Sequence, residues 1–148
     1  MGKIVTSGEV VADVYQEQTP SEVELQFTAR PGGAPANVAV AVAKLGAQAS
    51  FVGRLGDDLF GDFILRALHA VGVETAAVRR EPPPTRTTLT FVEISKDGNR
   101  DRARSGRATG ARGHPPRSLS GASFANLGSI PLIKDPARSA TRKFATRD

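Results

Sequence analysis

The sequence predicts an α/β domain in which helices pack on the faces of a parallel sheet. Short β-branched segments alternate with helix-like segments through the first 72 residues, a pattern typical of this class. The first helix-like segment also lies between Pro35 and Gly46, residues typical of helix starts and helix ends. The 148 residues suffice for one sizeable core, so we expect a single domain over 1–148.

The first two segments are predicted strands. Residues 3–14 are apolar and rich in β-branched side chains, and a break at Ser7-Gly8 suggests that the strand end turns toward a site. Residues 22–29 alternate acidic and apolar side chains. This alternation predicts a strand with one covered face and one solvent face.

The segment over 35–45 is ambiguous by pattern, because its valines alternate with alanines as they would in a strand. We predict a helix, since Pro35 suits the first helical position and Gly46 suits the stop. Alanine also has the highest helix propensity.

A short predicted strand over 48–53 separates this helix from a second one. Asp57 is the predicted N-cap of the second helix. Apolar residues then recur at helical spacing, and Gly72 is predicted to end the helix. The apolar residues are Phe60, Phe63, Ile64, Leu68 and Val71.

The rest of the chain begins with a predicted strand over 87–95 and a hairpin signal at 96–99. No returning strand is predicted, because residues 100–121 hold six arginines, four glycines, two prolines and one leucine, too little apolar surface to order a segment. We therefore expect 102–121 to be irregular. Apolar sequence returns at 122–133, and a last helix is predicted from Asp135-Pro136.

The net charge of +5 is unevenly distributed. Residues 1–95 hold eight basic and eleven acidic side chains, whereas residues 96–148 hold twelve basic and four acidic ones. A basic last third could indicate a nucleic-acid-binding tail. The arginines lack interleaved aromatic residues and no recognition motif is present, so we expect no nucleic-acid partner.

Composition and patterning exclude several other classes. The chain has no cysteine, which excludes disulfides and thiolate catalysis. No apolar run is long enough to span a membrane, and the N-terminus lacks the pattern of a signal peptide. The expected compartment is the cytoplasm.

The candidate site is the turn that precedes the first helix. Gly32 and Gly33 have no Cβ to block the approach of a ligand to backbone N–H groups. The helix start adds unpaired N–H donors and the positive end of the helix dipole. Asn37 follows with a carboxamide. The arrangement favours a small, oxygen-rich ligand.

These residues resemble the N-terminal motif of the ribokinase-like (PfkB) carbohydrate kinases. The first-strand group Gly8-Glu9 with Asp13 is similar to the first-strand motif of that family, and residues 53–58 followed by Phe60-Gly61 are typical of it. The resemblance covers residues 1–101 almost continuously and returns over about 124–142. Its matching positions are Gly32, Gly33, Pro35, Asn37, Ala39, Gly46 and Gly56.

The resemblance implies a ribokinase-like three-layer fold with a parallel sheet and a small β lid, truncated to the N-terminal part of the kinase domain. It implies that Asp13, Gly32, Gly33 and Asn37 bind a sugar, that ATP and Mg²⁺ are the cofactors, and that copies associate through the lid. The closest likeness is to fructokinases, with 2-keto-3-deoxygluconate kinases as the alternative.

The chain departs from the family in its last third. The family's Gly-Ala-Gly-Asp motif, which supplies the anion hole and the general base, is absent from residues 102–148. A frame disruption between about Arg102 and Ser120, followed by recovery of the frame, is one hypothesis for this segment, and a shifted reading frame at the C-terminus is the other. We assign no catalytic, cofactor-binding or metal-binding residue, and we expect no measurable kinase activity. A non-catalytic sugar-binding or regulatory module is the alternative function.

Overall fold

The computed structural model describes residues 2–17, 21–94, 100–105 and 122–127 of the chain. These residues form two helices and two sheets. The elements are β1 (Lys3–Ser7), β2 (Val11–Glu17), β3 (Gln26–Gly32), α1 (Ala34–Lys44), β4 (Gln48–Gly56), α2 (Leu59–Ala70), β5 (Val73–Glu74), β6 (Val78–Glu81), β7 (Leu89–Ile94), β8 (Arg100–Ser105) and β9 (Ala122–Leu127).

The larger sheet is parallel and has the strand order β5-β4-β1-β9, with β6 also paired to β4. Both helices share one hydrophobic cluster with this sheet. Its buried members come from α1, α2, β2, β4, β5 and the β1–β2 connection, and they are Val10, Ala12, Ala36, Ala39, Ala49, Phe51, Leu55, Ile64, Leu68 and Val73. The predicted α/β class with a parallel sheet is confirmed.

The smaller sheet has the order β3-β2-β7-β8. Strand β2 runs antiparallel to β3 and parallel to β7, and β7 runs antiparallel to β8. Asp13 is central in this sheet, because its register partners are Arg30 on β3 and Thr90 on β7. The chain passes from the larger sheet to the smaller one between Ser7 and Val11, which confirms the predicted break at Ser7-Gly8.

The first helix is confirmed, with a proline in its first turn and a left-handed glycine after its end. The helix begins at Ala34, so Pro35 is its second residue and not its first as predicted, and Gly46 has φ +82°. The amide of Gly46 donates to the carbonyl of Ala43 at 3.0 Å, which satisfies one of the last helical carbonyls. The strand after the helix reaches Gly56, three residues beyond the predicted end.

The prediction that Asp57 caps the second helix is wrong, because Asp58 is the N-cap. Asp58 has extended backbone dihedrals, and its Oδ1 accepts the amide of Gly61 at 2.9 Å. This is the geometry that an N-cap requires. Asp57 is exposed and pairs with Arg80 at 2.8 Å instead.

The segment over 22–29 differs from its prediction in position and in burial. Strand β3 begins at Gln26 and continues to Gly32, because it pairs with β2 along its whole length. The apolar side chains Val23, Leu25 and Phe27 are 92%, 67% and 47% exposed. The apolar face that was predicted to be covered is therefore exposed to solvent in this part of the chain.

The prediction that no strand returns after residue 99 is also wrong. Strand β8 pairs with β7 from Ile94↔Arg100 to Leu89↔Ser105. The partner strand supplies hydrogen bonds that the local composition does not reveal. Residues 102–105 are thus not irregular. The hairpin turn at 96–99, residues 106–121 and the predicted last helix from Asp135 lie outside the described residues.

Strand β9 corresponds to the start of the apolar sequence predicted at 122–133. It pairs in parallel with β1, and Phe124 is 61% exposed. Neither described helix combines the length and the apolar character that crossing a membrane requires.

Candidate functional site

The carboxylate of Asp13 lies directly over the backbone of Gly32. Their strands are neighbours, and Val11 pairs with Gly32 two residues before Asp13. A Cβ placed on Gly32 would lie 2.2 Å from Oδ2 of Asp13 and 2.7 Å from its Cγ. Any side chain at position 32 would displace the Asp13 carboxylate. A glycine at position 32 therefore lets the Asp13 carboxylate occupy this place, a reason that the sequence alone did not supply.

Gly33 is required for a different reason. Its φ of +101° lies in the region that side chains rarely adopt, and a Cβ there would lie 2.6 Å from the carbonyl oxygen of Glu9. The glycine pair thus allows the β1–β2 connection and the Asp13 carboxylate to approach the start of α1 closely.

The N-terminus of α1 has free hydrogen-bond donors. Gly33 is its N-cap, no side chain caps the helix, and the first turn holds no acidic residue. The first helical hydrogen bond runs from the amide of Asn37 to the carbonyl of Gly33 at 2.9 Å. The amides of Ala34 and Ala36 precede that bond and have no intrahelical acceptor. They present partial positive charge beside the Asp13–Gly32 contact.

Asn37 is joined to the same turn through its backbone. Asn37 is exposed, and its carboxamide has no hydrogen-bond partner within the described part of the chain. The structure therefore connects the predicted residues: Asp13 contacts Gly32, Gly33 follows it, and Asn37 bonds to Gly33. Their role in binding stays a prediction.

The Asp13 carboxylate forms no ion pair with the residues that the structure describes. Arg30 is its register partner on β3, but the Arg30 guanidinium lies over the ring of Tyr15, with its Cζ 5.6 Å from the ring centroid. No hydrogen bond or salt bridge reaches the half-buried Asp13 side chain from any residue that the structure describes. A negative acceptor group is thus available to a ligand.

Two polar side chains, one on the β1–β2 connection and one just before β7, are buried although the sequence did not predict their burial. Glu9 is 5% exposed and Thr88 is 1% exposed, yet within the described residues Glu9 Oε2 and the Thr88 hydroxyl have no hydrogen-bond partner. Buried polar atoms of this kind are uncommon in folded proteins. Glu9 belongs to the first-strand motif, but the motif gave no sign that its side chain is buried.

A second group of contacts joins the β4–α2 turn to the start of β7. Asp58 Oδ2 accepts the amide of Thr87 at 2.8 Å, and the Thr87 hydroxyl accepts the amide of Gly56 at 3.1 Å. Burial raises the pKa of Asp58, but hydrogen bonds from Thr87 and Gly61 and the charge of Arg86 lower it by more. Its net pKa lies below the ordinary value of 3.8.

Among the described residues, three ion pairs lie near the β4–α2 turn and link it to β6 and α2. Arg54 on β4 and Glu81 on β6 are mostly buried and pair at 2.5 Å. Arg80 binds Asp57 at 2.8 Å and Asp62 at 2.7 Å. The Arg54–Glu81 pair is mostly enclosed, whereas the two carboxylates that pair with Arg80 are largely exposed and are expected to add little to the rigidity of the turn that carries Asp58.

No group of three or more His, Cys, Asp or Glu side chains is placed to hold a metal ion in the described ranges. The unpaired carboxylate of Asp13 and the amides at the start of α1 are suited to hydroxyl groups, which donate and accept hydrogen bonds. The donor set of the described residues therefore suits a ligand that carries several hydroxyl groups.

Comparison with known proteins identifies the family. The model of the pfkB family of carbohydrate kinases matches residues 1–116. Probable fructokinase-3 of Arabidopsis thaliana is 38% identical over 96% of this chain and 43% of its own length. Fructokinase-1 of Oryza sativa subsp. japonica is 39% identical over 93% of the chain and 44% of its own length.

Solved structures agree with this relationship. The fructokinase from Xylella fastidiosa with bound ATP superposes with a TM-score of 0.84 at 29% identity, covering 97% of this chain and 47% of that one. A putative ribokinase II from E. coli shows the same fold, with a TM-score of 0.86 at 23% identity over 99% of this chain and 49% of its own. The chain spans less than half of these relatives. It belongs to the pfkB family of carbohydrate kinases.

Proposed function

We propose that this chain forms the sugar-binding part of a fructokinase-type kinase, with Asp13, Gly32, Gly33 and Asn37 as its sugar-binding residues. The observation that carries the proposal is the unpaired Asp13 carboxylate beside the uncapped start of α1. A second support is the similarity to fructokinases over nearly the whole chain.

The chemistry of the site matches a polyol. Each carboxylate oxygen of Asp13 can accept a hydrogen bond from a sugar hydroxyl, and the negative charge strengthens these hydrogen bonds. The free amides at the start of α1 can donate to sugar oxygens, and the Asn37 carboxamide can do both. Gly32 and Gly33 keep these groups close together, because a Cβ at Gly32 would displace the Asp13 carboxylate and a Cβ at Gly33 would overlap the carbonyl oxygen of Glu9.

The phosphoryl donor is proposed to be ATP, together with Mg²⁺. The relative from Xylella fastidiosa contains bound ATP. When bound, ATP would supply the group that is transferred to a sugar hydroxyl. We assign no residue of this chain to the nucleotide or to the metal.

The chain alone is proposed to bind sugar without phosphorylating it. The Gly-Ala-Gly-Asp sequence that would supply an anion hole and a general base is absent from residues 102–148. Loss of either feature costs about 10²–10⁴ in rate. A sugar-binding or regulatory module is therefore the second candidate function, and it uses the same four residues.

The smaller sheet is proposed to act as a lid and as the contact between copies of the chain. Asp13 lies on β2, one of the two inner strands of this sheet, so closure of the sheet would shield the sugar from water. Phe27 and Phe91 are half-exposed and pack edge to face, with ring centroids 6.0 Å apart. Burial of this pair by a second copy would remove apolar surface from water.

Calorimetric titration with fructose tests the proposal. We expect Asn37→Ala to weaken binding by about 1–3 kcal/mol, because sugar hydroxyls would lose their partner. Val38→Ala changes the neighbouring exposed residue and is the matched control. Titration with 2-keto-3-deoxygluconate distinguishes the two sugar classes. Equal affinities of the wild type and Asn37→Ala, or no binding of either sugar by folded protein, would contradict the proposal.

A further inference from the structure

Asp58 accepts hydrogen bonds from two separate elements. Its Oδ1 accepts the amide of Gly61 at 2.9 Å, which caps α2. Its Oδ2 accepts the amide of Thr87 at 2.8 Å, although Thr87 is 29 residues further along the chain. An N-cap needs only the first of these bonds. The second bond serves the segment that leads into β7.

The contact between Asp58 and Thr87 is enclosed by tightly packed groups. The Thr87 hydroxyl accepts the amide of Gly56 at 3.1 Å. A Cβ at Gly56 would lie 2.5 Å from both Asp58 Oδ2 and the Thr87 nitrogen. Thr87 is only 2% exposed. Because water has little access to Thr87, loss of the Asp58 acceptor would leave its amide without a replacement partner.

A short path connects this contact to Asp13. Thr88 follows Thr87, and its carbonyl accepts the amide of Ala12 at 3.0 Å. Ala12 then pairs with Leu89, and Asp13 pairs with Thr90. The position of Thr87 therefore sets where β7 begins, and β7 holds the strand that carries Asp13.

We propose that Asp58 is a positioning residue for the sugar site, which acts through Thr87 and β7 to hold the strand of Asp13. Only one part of this inference rests on the proposed function, namely the expected effect of Asp58 on sugar affinity. The effect of Asp58 on the position of β2 is inferred from the hydrogen bonds and the strand pairing alone.

Asp58→Ser separates the two bonds of Asp58. Serine is a good N-cap and can keep the bond to Gly61, but its shorter side chain cannot also reach Thr87. Asp58→Asn keeps the size of the side chain while it places an amide donor against the Thr87 donor, and it serves as a second variant if Asp58→Ser unfolds. Asp57→Ser is the matched control, because Asp57 is exposed and caps no helix.

Two measurements on the whole chain test the proposal: amide hydrogen exchange and calorimetric titration with fructose. We expect Asp58→Ser to speed exchange at Thr87 and Ala12 by about tenfold or more, to leave α2 protected, and to weaken fructose binding by about tenfold. Asp57→Ser should change neither property.

Unchanged exchange at Ala12 in Asp58→Ser would overturn the proposal. So would exchange that rises equally across α2 and β7, since that result indicates general destabilisation. Unchanged fructose affinity in the presence of faster exchange at Ala12 would also overturn it. If the wild type binds no fructose, the proposed function fails, and the exchange data still decide whether Asp58 holds the strand of Asp13.

Discussion

The Cα of Gly33 packs against the carbonyl oxygen of Glu9 so closely that a Cβ would lie 2.6 Å from that oxygen. This contact joins the start of α1 to the connection between β1 and β2. The positive φ of Gly33 turns the chain from β3 into the helix. The geometry of the candidate site therefore depends on a glycine at this position.

Gly33→Ala should destabilise the fold by about 2–4 kcal/mol, the sum of backbone strain and steric overlap. Gly46→Ala is the matched control, because Gly46 has φ +82° with nothing within 4 Å of its Cβ position. Strain alone should cost that variant about 1 kcal/mol. Urea unfolding measures both values, and equal losses would show that the contact with Glu9 is unimportant.

Asp58 should make stability depend on pH in the acid range. Its folded pKa lies below the ordinary value of 3.8, so its contribution is complete above about pH 4 and is lost as the pH falls through the folded pKa. Asp58→Asn should be less stable by about 1 kcal/mol at pH 7, and the difference should narrow below pH 4.

Unfolding curves at pH 7, 4 and 3 check this prediction. Asp57→Asn removes an exposed ion pair with Arg80 and should follow the wild-type profile. A constant difference between the wild type and Asp58→Asn at all three pH values would contradict the lowered pKa of Asp58.

The Arg54–Glu81 ion pair should contribute more stability than the exposed pairs of Arg80. The Arg54 and Glu81 side chains are 13% and 21% exposed, whereas the Asp62 side chain is 56% exposed. Glu81→Gln should cost about 1–3 kcal/mol, because it leaves a mostly buried guanidinium without its anion. Asp62→Asn should cost less than about 1 kcal/mol. Thermal unfolding distinguishes these outcomes, and a reversed order would contradict the account of the pair.

Phe27 and Phe91 should control self-association. Their rings form an exposed pair on the smaller sheet, so replacing both by serine removes apolar surface that a second copy would cover. Light scattering should show a larger species for the wild type and a monomer for the double variant. Leu59→Ser, at a 72% exposed residue on α2, is the control and should not change the mass. A monomeric wild type would contradict association through this sheet.

Local signals were sufficient for the elements whose ends are set by single residues. The proline and glycine that bound α1 identified this helix despite its alternating valines. The sequence could not show whether Asp57 or Asp58 is the N-cap, because the N-cap is the residue whose φ and ψ are extended. That property becomes visible only in the structure.

Tertiary pairing explains what the sequence did not reveal. Strand β8 has a composition that favours disorder, yet β7 supplies its hydrogen-bond partners. The alternation in residues 22–29 could not show whether any surface would cover Phe27. The bond between Asp58 and Thr87 joins residues too far apart in sequence for any spacing rule to predict it.

The candidate site was partly visible in the sequence, because a glycine pair before a helix is a local feature. The contact between Asp13 and Gly32 needs the register of β2 against β3, which no local pattern specifies. The sequence therefore singled out the residues as candidates, and the structure showed that a Cβ at position 32 would displace the Asp13 carboxylate.

The most direct test of the sugar site is a titration of fructose into ¹⁵N-labelled protein, followed by amide chemical shifts. We predict that the largest shifts occur at Gly32, Gly33, Ala34 and Ala36, while Gly46 and Gly72 at the far ends of the helices stay unchanged. Shifts confined to other residues, or no shifts in folded protein at saturating fructose, would contradict the assignment of this turn as the sugar site.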